Sequence, residues 1–336
     1  MRATFRTAAA VAVAAVVALA GCSSGSSDTS GSSSSAGSGD AAKPFKVVAF
    51  TSGNQTPVGG WWVKAVQAKA TELGWDLTMI QGDFDFQKMN PQVESAIGQG
   101  ADAVFDGYTD YAAISSITTA AKDAGIPIFA IDAGTEETDA FKLNITTNQQ
   151  GIVDQTVGAI ETELGGLKGK NIMVIGHDPH PGIRMRSNLA LTAFQDAGAV
   201  IAGGAIQQVK SPATGRTEAL NLVADYLTAH PGGLDAIWVG WDDAALGAAQ
   251  AVKEAGATVP VTGVDAVSES IAAIQDGQML ATIDQPWPTI NDSVIAAMVE
   301  FQKSGTLPTQ AFDTVNTTLV TKANAADITP SDKLGN

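Results

Sequence analysis

Five side chains stand shortly behind apolar runs, and their types suit one chemistry. Asp132 follows residues 126–131, Trp241 and Asp242 follow 236–239, Asp265 follows 259–264, and Gln285 follows 281–283. Carboxylates accept several hydrogen bonds and an amide both donates and accepts, which suits neighbouring hydroxyl groups. An indole offers a flat apolar face to the C–H side of a sugar ring. Arg186, early in a helical stretch, can donate to several oxygens from a rigid fork. Each aspartate has a second reading, as the N-cap of the next helix. Asp242, followed at once by Asp243, reads as a cap rather than a ligand contact.

The tryptophans divide by context. Trp75 and Trp238 lie in apolar surroundings and read as core. Trp61 and Trp62 come at the start of the first helical stretch, behind Gly59 and Gly60, where a cleft would open. Trp287 stands between Pro286 and Pro288, in a segment that reads as a connection between domains.

Enzyme chemistry is the main alternative of another class. His177, Asp178 and His180 could suggest a metal or an acid–base pair, but Pro179 and Pro181 put them on an irregular loop. His230 is the only other histidine, and a metal of this kind needs three or more placed ligands. Beyond residue 25 neither a GxSxG elbow nor an HExxH pair occurs. Residues 165–170 (GGLKGK) lack the phosphate-loop spacing and read as a turn before a strand. No catalytic residue, metal or cofactor is expected.

The elements that position these residues alternate regularly. Strands are expected at 46–50, 77–80, 103–105, 126–131, 171–175, 236–239, 259–264 and 281–283, and helices at 60–73, 112–124, 149–164, 183–197, 215–229, 244–255 and 289–304. Gly74, Gly125 and Gly256 fall just past helix ends, where a left-handed residue commonly closes the last turn. This rhythm predicts an α/β chain with two doubly wound parallel-sheet domains, the first from 45 to about 147 and the second from about 148. Ligands of such sheets sit beyond the carboxyl ends of the strands, so two facing sheets would share a cleft.

The N-terminus speaks to compartment. Arg2 and Arg6 precede the unbroken apolar run 8–20, which is too short for a bilayer-spanning helix of about 20 residues. Leu19, Ala20 and Gly21 then lead to Cys22, the single cysteine of the 336 residues. Residues 1–22 resemble a bacterial lipoprotein signal, with Cys22 as the lipid attachment point and the membrane reached through that anchor. Residues 23–44, rich in Ser, Gly and Ala, have little apolar surface to bury and read as a disordered tether. The net charge of -16 without a basic stripe argues against nucleic acid as a partner.

Over roughly residues 45–322 the chain resembles the type I periplasmic sugar-binding proteins of the ribose-binding class, the solute-binding lipoproteins of ABC importers. The stretches that carry the resemblance are 126–132 (IPIFAID), 184–186 (RMR), 227–247 (LTAHPGGLDAIWVGWDDAALG), 262–265 (TGVD) and 277–285 (GQMLATIDQ). The resemblance assigns ligand contacts to Asp132, Arg186, Asp265 and Gln285. It departs from this chain at Ala133, where the family has an arginine, and at Trp241, where it has an asparagine. Trp61 and Trp62 sit about three residues beyond the family's two aromatics and are expected to substitute for them. The resemblance further implies a three-segment hinge, with one lobe of 45–147 plus 286–314 and another of 148–285 plus 315–330. The implied ligand is a sugar or sugar alcohol, bound by hinge closure of a monomer. The implied partners are the permease and ATPase subunits of an importer, and the implied place of this chain is the outer face of the cell membrane or the periplasm. A sensor that presents its bound ligand to a membrane receptor is the alternative within the same class.

Overall fold

The computed structural model describes residues 43–334. The signal segment, Cys22 and residues 23–42 of the tether lie outside the described residues; Lys43 and Pro44 are exposed.

The chain opens with β1 (Lys46–Thr51), α1 (Pro57–Leu73), β2 (Asp76–Gln81), α2 (Phe86–Gly98), β3 (Ala103–Gly107), α3 (Ser115–Ala124), β4 (Ile128–Ile131) and β5 (Leu143–Thr147). Alternation along β1 sends Val47 and Ala49 to one side of the sheet and Val48 and Phe50 to the other, all of them buried. That two-sided burial is what helices on both faces require. α2 and β5 went undetected in the sequence. α2 carries Pro91 within it, which breaks the helical reading. β5 is buried throughout although three of its five residues are Asn144, Thr146 and Thr147.

The second series runs α4 (Gln149–Leu164), β6 (Asn171–Gly176), α5 (Pro181–Asp196), β7 (Val200–Ile201), β8 (Gln207–Gln208), α6 (Gly215–Ala229), β9 (Ala236–Val239), α7 (Asp242–Glu254), β10 (Val261–Thr262), α8 (Ser268–Gln275) and β11 (Ala281–Asp284). α9 (Trp287–Ser304), β12 (Phe312–Val315) and β13 (Thr318–Thr321) complete it. Gly74 and Gly125 close α1 and α3 in the left-handed conformation, and Gly256 does so one residue beyond the cap of α7.

Two sheets result. One has the order β12-β5-β4-β3-β1-β2, all parallel; the other runs β13-β11-β10-β9-β6-β7, with β8 also on β6 and β13 antiparallel to β11. β12 belongs to the first sheet although it follows the whole second series, and α9 packs against β4 and β5. The chain therefore passes between sheets after Thr147, after Asp284 and after Val315. It returns once more at its end: Ser331 donates its backbone N–H to Ala266 O (3.0 Å), while Leu334 packs on the core beside the first sheet.

Candidate functional site

Because the core strands of each sheet are parallel, their carboxyl ends lie on one edge, and loops from both edges enclose a cavity of about 410 Å³. This size falls in the range of small-molecule sites. Asp132 behind β4, Trp241 behind β9, Asp265 behind β10 and Gln285 behind β11 all line it, as does Arg186 from α5.

Local sequence explains how each arrives. His180 caps α5 and Pro181 occupies its first turn, a position where the missing N–H costs nothing. The helix so started carries Arg186 inward, with only 3% of its surface exposed. Its Nη1 donates to Gln149 Oε1 (3.0 Å), and Gln149 Nε2 donates to Thr147 Oγ1 (3.1 Å). Asp132 and Asp265 have positive φ, +49° and +124°, and cap no helix. Tyr108 and Phe84, also lining the cavity, have φ of +62° and +61°. Non-glycine residues held in that region cost energy and concentrate at ligand clamps. Asp242 does not cap either. It is fully buried, and its carboxylate accepts from Thr282 Oγ1 (2.6 Å) and Val267 N (3.0 Å), bracing the turn that carries Asp265.

The charges are arranged for a guest rather than for each other. Among the described residues no ion pair joins Arg186 to Asp132 or Asp265, although both carboxylates act on its guanidinium through space. Burial pushes the Asp132 carboxyl up to about 6, against the opposing pull of the Thr146 hydroxyl and Arg186. Asp265 is pushed further, by burial and by the neighbouring charge of Asp242. Thr146 Oγ1 donates to Asp132 Oδ1. Gln285 Nε2 donates to Asp265 Oδ1 (2.6 Å), and its Oε1 accepts from Thr147 Oγ1 (2.9 Å), so one amide joins the strand ends of both sheets. Arg186 Nε, Trp241 Nε1, Trp287 Nε1 and the Tyr108 hydroxyl are buried without a protein partner. They are hydrogen-bonding capacity that the fold itself leaves unused.

Trp61 and Trp62 are not brought to the cavity. α1 starts at Pro57 under the Thr56 cap, three residues earlier than expected, which turns both rings away. Trp62 is wholly buried, edge-on to Phe105 (5.1 Å) and Tyr108 (6.2 Å). Gly107 permits this packing, since a Cβ there would meet the indole at 2.9 Å. Trp61 lines a separate groove with Lys69, Pro288 and Leu334. The aromatic wall is instead Phe84, Phe86, Tyr108, Trp241 and Trp287, with Tyr108 edge-on to Trp287 at 5.1 Å. His177 and His180 also line the cavity. Sequence reasoning missed them as site residues because it tested them only as metal ligands or an acid–base pair; among the described residues no group of three or more His, Cys, Asp or Glu could hold a metal ion. Their place between the end of β6 and the start of α5, the same relation that selected Asp132 and Asp265, was the available signal.

The periplasmic binding protein domain matches residues 48–306. The chain belongs to that family. This binding protein is 28% identical over 287 residues to a D-apiose import binding protein of Paraburkholderia graminis, covering 84% of its own length and 89% of the relative's. It is 27% identical to the ribose import binding protein of Bacillus subtilis over 66% of its own chain and 70% of that one. Among solved structures, an ABC transporter solute-binding protein from Agrobacterium vitis with bound allitol superposes with a TM-score of 0.76 at 23% identity, covering 85% of this chain and 98% of that one. The two-sheet α/β architecture is thus that of the type I periplasmic binding proteins. No helix among the described residues is long and apolar enough to cross a membrane.

Proposed function

We propose that this binding protein captures a neutral monosaccharide or sugar alcohol for an ABC importer. The observation that carries the reading is a single cavity lined by Asp132, Arg186, Asp265 and Gln285, whose buried guanidinium has no ion-pair partner among the described residues. Two carboxylates and one guanidinium facing each other without direct pairing suit a solute whose hydroxyls donate to the former and accept from the latter. A phosphorylated or carboxylated solute would face Asp132 and Asp265 as like charges. The aromatic wall would take the C–H face of such a solute. Relatives named for D-apiose and ribose import, and the fold partner with bound allitol, agree with this class.

The protein acts as a monomer whose lobes close around the solute, which shifts the population by binding both lobes only in the closed form. The importer's permease and ATPase then receive it. Cys22, acylated, holds the protein at the outer face of the membrane. It is a binding protein, not an enzyme.

The direct test is a thermal-shift series on residues 43–336 with D-ribose, D-apiose, xylitol, allitol and myo-inositol. A solute present at 100 times its Kd stabilises the folded form by about 2.7 kcal/mol. A shift from none of the five would defeat the reading.

Closure also predicts a salt effect. Arg184 of α5 pairs with Asp110 behind β3 (3.1 Å), joining the lobes at a partly exposed position. Such pairs contribute about 0.2–1 kcal/mol, and this one forms only when the lobes meet. Arg184→Ala should weaken solute affinity by at most about fivefold, and calorimetry in about 1 M salt should bring the variant and the parent together.

A further inference from the structure

We propose that His180 is a solute contact of the second lobe, a neutral Nε2–H donor that shares one solute hydroxyl with Asp132. The inference rests on the solute class proposed above and names a residue that the strand-end pattern did not select.

The ring's tautomer is set by the backbone. His180 caps α5, and its Nδ1 accepts from Ile183 N–H at 3.3 Å. A nitrogen that accepts carries no proton, so in the neutral ring the proton is on Nε2. Burial and the neighbouring Arg186 hold the imidazole far down, at about 3, which keeps it neutral. Nε2 lies 3.6 Å from Asp132 Oδ2, too far for a direct hydrogen bond. The other Asp132 oxygen is already taken by Thr146. One oxygen about 2.7–2.9 Å from both atoms fits between them. A hydroxyl there would donate to the carboxylate and accept from the imidazole, a double role open to neither an ether nor a carbonyl oxygen. The approach is tight: a Cβ on Gly182 would stand 3.3 Å from the His180 ring and 3.5 Å from Asp132 Oδ1. The first turn of α5 thus delivers a donor from one lobe against the acceptor of the other.

Two variants separate this role from capping. His180→Ala loses both the cap and the donor. His180→Asn retains a strong capping residue, but its shorter side chain cannot reach the shared oxygen. Calorimetry would use the tightest binder among D-ribose, D-apiose, xylitol, allitol and myo-inositol, with the melting temperature of each unliganded protein measured alongside. Both variants should bind about three- to tenfold more weakly, the loss expected for one neutral hydrogen bond, while only the alanine variant melts lower. Parental affinity in His180→Asn would overturn the proposal, since capping would then account for the residue. Should the parent protein bind none of the five solutes, the functional reading fails first and this contact falls with it.

Discussion

In Asp265→Ala, the rise in melting temperature caused by the best-binding sugar or polyol should vanish while the unliganded protein stays folded. Asp265 lines the cavity from a turn with φ of +124° and receives Gln285 Nε2 at 2.6 Å. Its carboxyl is held well above the usual range by burial and by Asp242, so its charge is already a cost to the fold. Removing it relieves that cost, and unliganded stability should not fall. Solute hydroxyls bound to a carboxylate contribute about 1.5–3 kcal/mol each. Losing one or two such bonds lowers affinity about 100-fold. Asp265→Asn, which keeps an acceptor for Gln285, should lose about tenfold. A full thermal shift in the alanine variant would mean that the solute sits elsewhere.

The second large effect concerns pH and lies outside the cavity. Asp106 is fully buried near the end of β3, and Thr109 Oγ1 donates to its Oδ2 at 2.6 Å. Its Oδ1 has no partner. Burial pushes the carboxyl up to about 8, only partly offset by the Thr109 hydroxyl. A folded pKa above the unfolded one means that the folded state binds the proton more tightly. The associated stability is complete below about pH 4 and is lost as pH rises through about 8. Between pH 5 and pH 8 the loss is on the order of 4 kcal/mol, at roughly 1.4 kcal/mol per pH unit. Asp132 and Asp242, each pushed up to about 6, add to the same slope at its acidic end. In Asp106→Asn the side chain is neutral at every pH and can still accept from Thr109. That variant should melt higher than the parent at pH 8 and close to it at pH 5. Parallel melting-temperature profiles for the two proteins would show that Asp106 does not carry the slope.

How legible the site was depended on the distance over which its signals act. Asp132, Arg186, Asp265 and Gln285 could be selected because each stands at a strand end or helix start, and parallel strands bring such positions to one edge. Trp61 and Trp62 failed on a local detail. The helix began under Thr56 and Pro57 rather than at Gly60, and a shift of three residues points a side chain elsewhere on the cylinder. Tyr108, Phe84 and Phe86 were invisible because nothing in their neighbours marks a cavity wall. β12, partly exposed along its length, lacks the apolar alternation that announces a strand, and it takes strand form by pairing with β5.

By itself the sequence determined the alternation of strands and helices, the left-handed helix ends at Gly74 and Gly125, and the acceptors and guanidinium at the ends of those elements. These are properties of neighbouring residues: apolar period, capping and backbone freedom act within a few positions of the chain. Tertiary structure alone decided that Gln285 touches Thr147 and Asp265 at once, that Arg186 is left without an ion pair, and which aromatic rings form the wall. Those relations join residues as many as 138 positions apart, and they exist only once both sheets have twisted and packed so that their carboxyl edges face each other.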